Sequence, residues 1–475
     1  MERKQTFPWK AFLAELIAIA LPVALQNLLT TTASMVDTIM LGSCGQLTVG
    51  AVGLCGQFSS LMLSCYWGFI GGGMLFFSQF FGAKDDESIC HSYGLALSCI
   101  MAVGLAFGAL AVLAPRLIMG LYTDKTSIQE IGVRYLRICG FAYPLMTLAQ
   151  AQSALLRSTE RVKIPLIASI AALITNFCCN FVLIYGRFGF PALQERGAAI
   201  GTLMSAIVNV AMIFLLSAKA GEPYLLKFAK HFRFGKALAK QFFIKCAPII
   251  CNELMIGIAV MLQNVIIGRQ AEEAIVATAV FRTLEGFVLA FFSGFTSASS
   301  VLVGTCIGAG DHEKGYQRAR RLVLLVPCTV FCVCCILLAL HRPILTAMSL
   351  EGESLSICLH MLMIYTVMGS IRMTNWIQND TFRAAGDPTI GTVLEIVFAY
   401  FMVLPLMLAA GLWLRLPFLL VFLCVYIDEP VRVVLMIRHL ISGKWIRPVT
   451  EDGLKTIGAF REAHGISPRK KLFGR

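Results

Sequence analysis

The chain has 475 residues, of which 57% are hydrophobic and 14% charged, whereas soluble globular domains carry about 25% charged residues. That balance excludes a water-soluble protein of this size. The formal net charge of +13 is read first as topology and not as nucleic-acid binding, because loops kept in the cytoplasm collect Lys and Arg.

Runs of about 18 or more mainly apolar residues read as membrane spans. Twelve are predicted, near 16–42, 50–81, 91–114, 132–156, 163–187, 196–218, 240–268, 274–307, 320–341, 357–381, 389–412 and 415–441. The first is too long for the apolar core of a cleaved signal and lacks a clear cleavage site, so it is expected to be a span. Pro22, Pro144, Pro165, Pro248, Pro327, Pro405 and the run Gly71 to Gly73 fall inside predicted spans. Membrane helices tolerate them where neighbours or cavity water satisfy the freed backbone. The 17 Cys are scattered with no zinc spacing and read as small packing residues.

Between the sixth and seventh spans, Lys219 to Lys245 interleaves basic residues with Tyr224, Phe228, Phe232, Phe234, Phe242 and Phe243. This pattern predicts an amphipathic stretch lying against anionic lipid. With the amino terminus inside, the basic residues gather on one side: Arg3, Lys4 and Lys10, Lys84, Arg157 to Lys163, the stretch from Lys219, Lys314 to Arg321, Arg383, and the tail after Asp428. Both termini are therefore expected to be cytoplasmic.

Pro22 through Gly42 lies over Pro248 through Gly268 without a gap, with Pro22/Pro248, Leu28/Leu254, Ala33/Ala259, Met35/Met261 and Gly42/Gly268 identical. The same displacement puts Gly82-Ala83-Lys84-Asp85 on Gly308-Ala309-Gly310-Asp311, and Arg157 on Arg383. One register shared by separated landmarks argues for a duplicated six-helix unit. Six crossings return the chain to its starting side, so the halves run in the same orientation, a plan in which the substrate site lies between halves near the midplane. The predicted fold class is an all-α polytopic membrane protein with twelve transmembrane helices in two six-helix lobes related by a parallel internal repeat. The expected divisions are an N-terminal lobe over 1–218, a basic cytoplasmic linker over 219–245 running into helix seven, a C-terminal lobe over 240–441 and a basic cytoplasmic tail over 442–475.

Several segments resemble the multidrug and toxic compound extrusion (MATE) transporters. Pro22 with Val36-Asp37-Thr38-Ile39-Met40-Leu41-Gly42 is similar to that family's first helix, and Leu156-Arg157-Ser158-Thr159-Glu160-Arg161-Val162-Lys163-Ile164-Pro165 to its turn before helix five. Phe188-Gly189-Phe190-Pro191 with Gly197 to Thr202 resembles its helix five to six connection. In the second half, Asn252-Glu253, Val303-Gly304 with Gly308-Ala309-Gly310, Phe382 to Asp387 and Ser442-Gly443-Lys444-Trp445 also fit. The resemblance covers nearly the whole chain and is carried by the order, spacing and duplication of these segments.

Asp37 is the acid within the spans of the first half, apart from Glu15 at the membrane edge. An ionised Asp at a helix centre costs about 2.5–3.5 kcal/mol on the insertion scale, so it calls for a role or a partner. It reads either as a coupling site that exchanges a proton or holds Na⁺ with neutral oxygens, or as a packing Asp bonded to a neighbour. Asn176 and Asn180 are spaced i, i+4 and share a helix face; with Thr202 they match, through the resemblance, the family's first-half cation cluster. Relatives commonly have an acid where Asn180 stands, so a single-proton site is at least as plausible as Na⁺ at Asp37, the one metal candidate.

At the repeat displacement Asp37 falls on Gln263 and Glu253 on Asn27, so the ion sites are not duplicated. In the second lobe the resemblance brings in Glu253. Arg282 and Glu285, i and i+3, share a helix face and are expected to pair with each other. Arg372 stands near where some relatives have an acid on helix ten, which suggests either that it pairs with Glu253 or Glu285 or that the lobe recognises an anionic group. Glu395 is a candidate for the central cavity, whereas Asp428, Glu429 and Arg432 read as a local pairing cluster outside it. Phosphate-loop and catalytic motifs are missing, so no enzyme is expected.

The expected function is a secondary active exporter (antiporter) that moves drug-like, often cationic organic compounds out of the cell in exchange for H⁺ or Na⁺ by alternating access. No cofactor beyond the coupling ion is expected. The anticipated partners are a small organic substrate and membrane lipid, with no nucleic acid, and the chain is expected as a monomer in the plasma membrane. The alternatives are a flippase for a lipid-linked saccharide and, less favoured, an intramembrane transferase, which would need acids or His clustered at one membrane face.

Overall fold

The structure, a computed structural model, describes residues 8–348 and 350–466. Arg3, Lys4 and the end of the predicted basic tail, residues 467–475, lie outside the described residues. In chain order the helices are α1 (Trp9–Gly42), α2 (Gln46–Gly82), α3 (Asp86–Leu113), α4 (Pro115–Tyr122), α5 (Thr126–Ser158), α6 (Lys163–Tyr185), α7 (Glu195–Lys219) and α8 (Phe228–His231). They continue with α9 (Lys236–Ile267), α10 (Glu272–Gly308), α11 (His312–Ala339), α12 (His341–Ala347), α13 (Gly352–Ala384) and α14 (Thr389–Phe398). After α14 the chain winds through two π-helical turns, Ala399–Val403 and Ala409–Trp413, on either side of α15 (Leu404–Leu408). The last helices are α16 (Phe418–Cys424), α17 (Glu429–Ser442) and α18 (Glu451–Ala463).

Ten helical segments among the described residues are long and apolar enough to cross a membrane. Two of the twelve predicted spans take another form. The fourth is α5, a continuous helix made less apolar by Glu130, Arg134, Arg137, Gln152 and Arg157. The twelfth, expected as one helix over 415–441, is broken: α16 stops at Cys424 and α17 starts at Glu429, with Pro430 in its first turn, where its missing N–H costs nothing.

The chain divides into two compact units. It passes from one to the other between Ala20 and Leu21 and again between Cys246 and Ala247, beside the repeat-related Pro22 and Pro248. One unit holds Leu21–Phe77 and Asp86–Cys246. Its helices approach closely through small residues, as membrane helices do where packing replaces the hydrophobic drive. A Cβ on Gly108 of α3 would stand 2.7 Å from the carbonyl of Gly140 on α5. Met40 and Leu41 pack with Ile184 of α6 and Ala198 of α7, which anchors the end of α1 near Asp37.

The linker belongs to this unit and is only partly an exposed amphipathic stretch. Leu226, Phe232 and Phe243 are exposed, but Tyr224, Leu225 and Phe242 are buried. The Tyr224 hydroxyl donates to Asp86 Oδ1 at 2.8 Å, and His231 Nε2 donates to the Tyr224 carbonyl at 2.8 Å while its ring meets Tyr93 edge-on. Glu222 is buried and ion-pairs with Arg161 at 3.5 Å; burial pushes its carboxyl up, against the opposing pull of Arg161. Burial also pushes the His231 imidazole below its ordinary 6.5.

Two predictions follow from this seat. A Cβ on Gly94 would overlap the backbone carbonyl of His231, and backbone has little room to yield. Gly94→Ala is therefore expected to unseat the linker, lowering the melting temperature by several degrees, with faster trypsin cleavage between Lys227 and Lys240 as the second reading. The His231 sign is set by linkage: a pKa lowered by folding means that the unfolded chain takes up a proton the native chain does not, so stability falls as pH drops below about 6.5. The wild type should lose more thermal stability between about pH 7.5 and 5.5 than His231→Phe does; equal losses would remove His231 from the account.

The second unit holds the described residues up to Ala20, Ser78–Asp85, and those from Ala247 onward. Ala259, Ile266, Ala399, Val403, Met407 and Val421 form one of its cores. Glu15 is ion-paired with Arg318. Residues after α17 dock back on the unit: Trp445 is buried and stacks on Tyr316, and Thr450 donates to the Gly308 carbonyl at 2.7 Å. Gln79 is held at both ends, donating to the Ala384 carbonyl at 2.7 Å and accepting from the Val449 N–H at 2.8 Å.

Candidate ion-coupling and cargo sites

In the first unit Asp37 and Asn180 meet. Asn180 Nδ2 donates to Asp37 Oδ1 at 2.6 Å and lies 3.3 Å from Asn176 Oδ1. Asn180 is fully buried, because glycine at position 201 leaves room for its amide; a Cβ there would overlap Asn180 Oδ1. Asp37, Asn176 and Thr202 share a cavity of about 260 Å³. Thr202 stands in its wall, with its hydroxyl donated to the Ala198 carbonyl at 3.0 Å and not to Asp37.

The wall also presents Thr30, Ser34, Ser205 and Asn209, which sequence reasoning missed. Their signal was helical spacing: Ser34 and Thr30 lie three and seven residues before Asp37, and Ser205 and Asn209 three and seven after Thr202, so each set shares a face. The result is one carboxylate, fixed by an amide donor and surrounded by hydroxyl and amide groups. Such a site can take up and release a proton or an alkali cation with little rearrangement.

The second unit holds a different chemistry. Glu395 accepts from Asn252 Nδ2 at 3.0 Å and Asn379 Nδ2 at 3.2 Å. Glu429 accepts from Arg372 Nε at 2.9 Å and Asn375 Nδ2 at 2.7 Å. Arg372 also reaches Glu285 at 3.7 Å and lies over the Tyr426 ring at 4.3 Å, a favourable cation–π arrangement. Arg432 is near Asp428 at 3.2 Å, Glu429 at 3.6 Å and Glu395 at 3.8 Å.

Several expectations are corrected here. Arg282 and Glu285 share a helix face but do not pair, since Arg282 donates to Asn264 Oδ1 at 2.8 Å and Glu285 goes to Arg372. Arg372 pairs with Glu285 and Glu429, whereas Glu253 is paired with Arg383 at 3.4 Å. Asp428, Glu429 and Arg432 are not a cluster apart: with Glu285, Glu395 and Arg372 they line one cavity of about 240 Å³. These side chains stand at or just after the break before α17, which a continuous-helix reading of the sequence did not contain.

The duplication reaches into the hydrogen bonds. Gln26 Nε2 donates to Ser169 at 3.0 Å, and the residues at the repeat displacement, Asn252 and Glu395, make the equivalent bond. Arg157, buried, donates to Gln26 Oε1 at 2.8 Å; its counterpart Arg383 faces Glu253. One scaffold thus carries neutral partners in the first half and acids in the second.

Long apolar helices lining charged and polar cavities define a polytopic all-α membrane transporter. The family model described as MatE matches residues 22–182 and 248–409, blocks that begin on the repeat-related Pro22 and Pro248. The chain belongs to this family, the MATE transporters, which are not enzymes. It is 22% identical over 434 residues to the "Uncharacterized transporter YisQ" of Bacillus subtilis (strain 168), covering 91% of this chain and 95% of that protein. It is 21% identical over 446 residues to the "Probable multidrug resistance protein NorM" of Thermotoga maritima, covering 94% and 96%. Among solved structures it is similar in fold to an outward-facing multidrug resistance MATE family transporter, with a TM-score of 0.79, 15% identity and coverage of 94% of this chain and 96% of that one.

Proposed function

We propose that the protein is a secondary active exporter in the plasma membrane that moves drug-like organic compounds outward by alternating access of its two lobes, in exchange for H⁺. The observation that carries this reading is Asp37, the carboxyl of the first cavity, held at 2.6 Å by the Asn180 amide. A proton is favoured over Na⁺ because one carboxylate faces an N–H donor, and no second acid stands where relatives often have one. Family membership and the multidrug names of relatives such as NorM support the cargo class. The basic residues at the predicted cytoplasmic loops support cytoplasmic termini, and we expect the chain to act as a monomer.

A flippase for a lipid-linked saccharide would need a wide, arginine-lined cavity. Four carboxylates face three arginines in the second cavity, which favours the exporter. In vesicles of purified protein, a fluorescent organic cation should be moved when a pH gradient alone is imposed. Movement driven only by a Na⁺ gradient would overturn the proton assignment, and movement with neither gradient would overturn secondary transport.

A further inference from the structure

The turn that joins α9 to α10 lies beside the second π-helical turn of the same unit, and the two border a cavity of about 510 Å³. Gln270 ties them together: its Nε2 donates to the Ile266 carbonyl at the end of α9 and to the Gly411 carbonyl of the π-helical turn, both at 3.3 Å. Arg269 and Arg415 stand on the cavity wall, both exposed, and no acid lines it. Glu272 and Glu273 begin α10, where they complement the positive end of that helix; neither lines the cavity or ion-pairs with either arginine among the described residues. Arg415 has φ +47°, a left-handed conformation uncommon outside glycine. It is pinned there from both sides, by the Leu414 N–H on the Ala409 carbonyl at 2.8 Å and the Leu416 N–H on the Ala410 carbonyl at 2.9 Å.

Two guanidinium groups beside one cavity, with no carboxylate on its wall, concentrate positive charge. Each offers five N–H donors in a planar fork, a geometry that pairs with phosphate oxygens. The neighbouring side chains indicate the source of that phosphate. Trp413 is 81% exposed and Leu414 67%, so an indole ring and a leucine extend uncovered apolar surface beside Arg415. Tryptophan is favoured at the level of lipid headgroups, with apolar side chains on the hydrocarbon side of it. By the span count, the α9–α10 turn and the connection into α16 both lie on the side opposite the termini, where orientation in the membrane does not call for Lys or Arg. Arginines kept there serve another purpose.

We propose that Arg269 and Arg415 bind the phosphate of an anionic phospholipid headgroup at the membrane surface, with Trp413 and Leu414 against its acyl chains. A zwitterionic headgroup would bring its own cation into the same positive field and is disfavoured. The inference goes beyond the exporter reading and does not depend on it: the site shares no residue with either cavity described above, and its test reads binding alone.

The test titrates the purified full chain in detergent with short-chain phosphatidylglycerol or phosphatidylcholine brominated on the acyl chains, since bromine quenches a tryptophan that it touches. Trp413 emission is followed as the difference between the protein and its Trp413→Phe variant. Phosphatidylglycerol is expected to reach half-maximal quenching at a concentration at least about tenfold lower than phosphatidylcholine. The double variant Arg269→Gln with Arg415→Gln should erase that preference while leaving quenching by phosphatidylcholine within about twofold. Equal quenching by the two lipids overturns the proposal, and so does a preference that survives in the double variant. Inorganic phosphate is added as a competitor: displacement of phosphatidylglycerol at a comparable concentration would make the occupant a free anion and overturn the lipid assignment, whereas weak displacement supports it. Should the double variant fail to fold, the single variants Arg269→Gln and Arg415→Gln decide, each expected to lose part of the preference; an undiminished preference in both counts against the site.

Discussion

Asp37→Asn is expected to abolish gradient-driven export while leaving the protein folded. The substitution keeps the shape of the side chain and an oxygen that can accept from Asn180 Nδ2, so the bond at 2.6 Å has a neutral equivalent. Burying an amide in place of a carboxyl also removes the charge that hydrocarbon penalises, and the melting temperature should change by no more than a few degrees. What disappears is the group whose two protonation states can favour two conformations differently. A ligand shifts an equilibrium only by its differential affinity for the two states, and without titration at this site the gradient has nothing to act on. Proteoliposome efflux under a pH gradient should fall by about fivefold or more, the consequence of losing a coupling free energy of about 1–3 kcal/mol. Wild-type efflux from a normally inserted variant would sink the assignment of Asp37.

The second large effect is expected at Arg372, and it is one of stability. Arg372→Met removes the partner of Glu285 and Glu429, the cation over Tyr426 and a donor to the Val425 carbonyl at 3.3 Å. Breaking a buried ion pair from one side costs about 3–5 kcal/mol, because the remaining charge is left uncompensated. The melting temperature in detergent should drop by many degrees, and the double variant Arg372→Met with Glu429→Gln should recover a large part of the loss. That recovery is the signature of two groups in one network. Additive losses would mean that the two side chains act separately.

The all-α class, the spans and the duplication were legible because hydropathy and a shared register are properties of the sequence itself. Asp37, Asn176 and Asn180 were legible for the same reason: a lone acid in an apolar run stands out, and an i, i+4 spacing fixes a face. The second cavity was not. Its partners come from α9, α10, α13, α14 and α17, and no local spacing says that Arg372 meets Glu429 and not Glu253. The nearness of Arg282 and Glu285 on one helix suggested a pair, but Asn264 lies closer to one and Arg372 closer to the other. The break of the twelfth span left only Asp428, Glu429 and Pro430 as a trace, a sequence that reads equally well as a polar helix end.

That break has a consequence for how the transporter can change over evolutionary time. A helix end carries partial negative charge at its carboxyl side and partial positive charge at its amino side. Arg372 donates to the Val425 carbonyl beyond α16, and Glu429 lies in the first turn of α17, so each charge is matched to an interrupted backbone as well as to the other. A substitution that straightened the span would strand both charges, and one that removed them would leave open peptide groups where water is scarce. The broken helix and its charges can therefore be gained or lost only together.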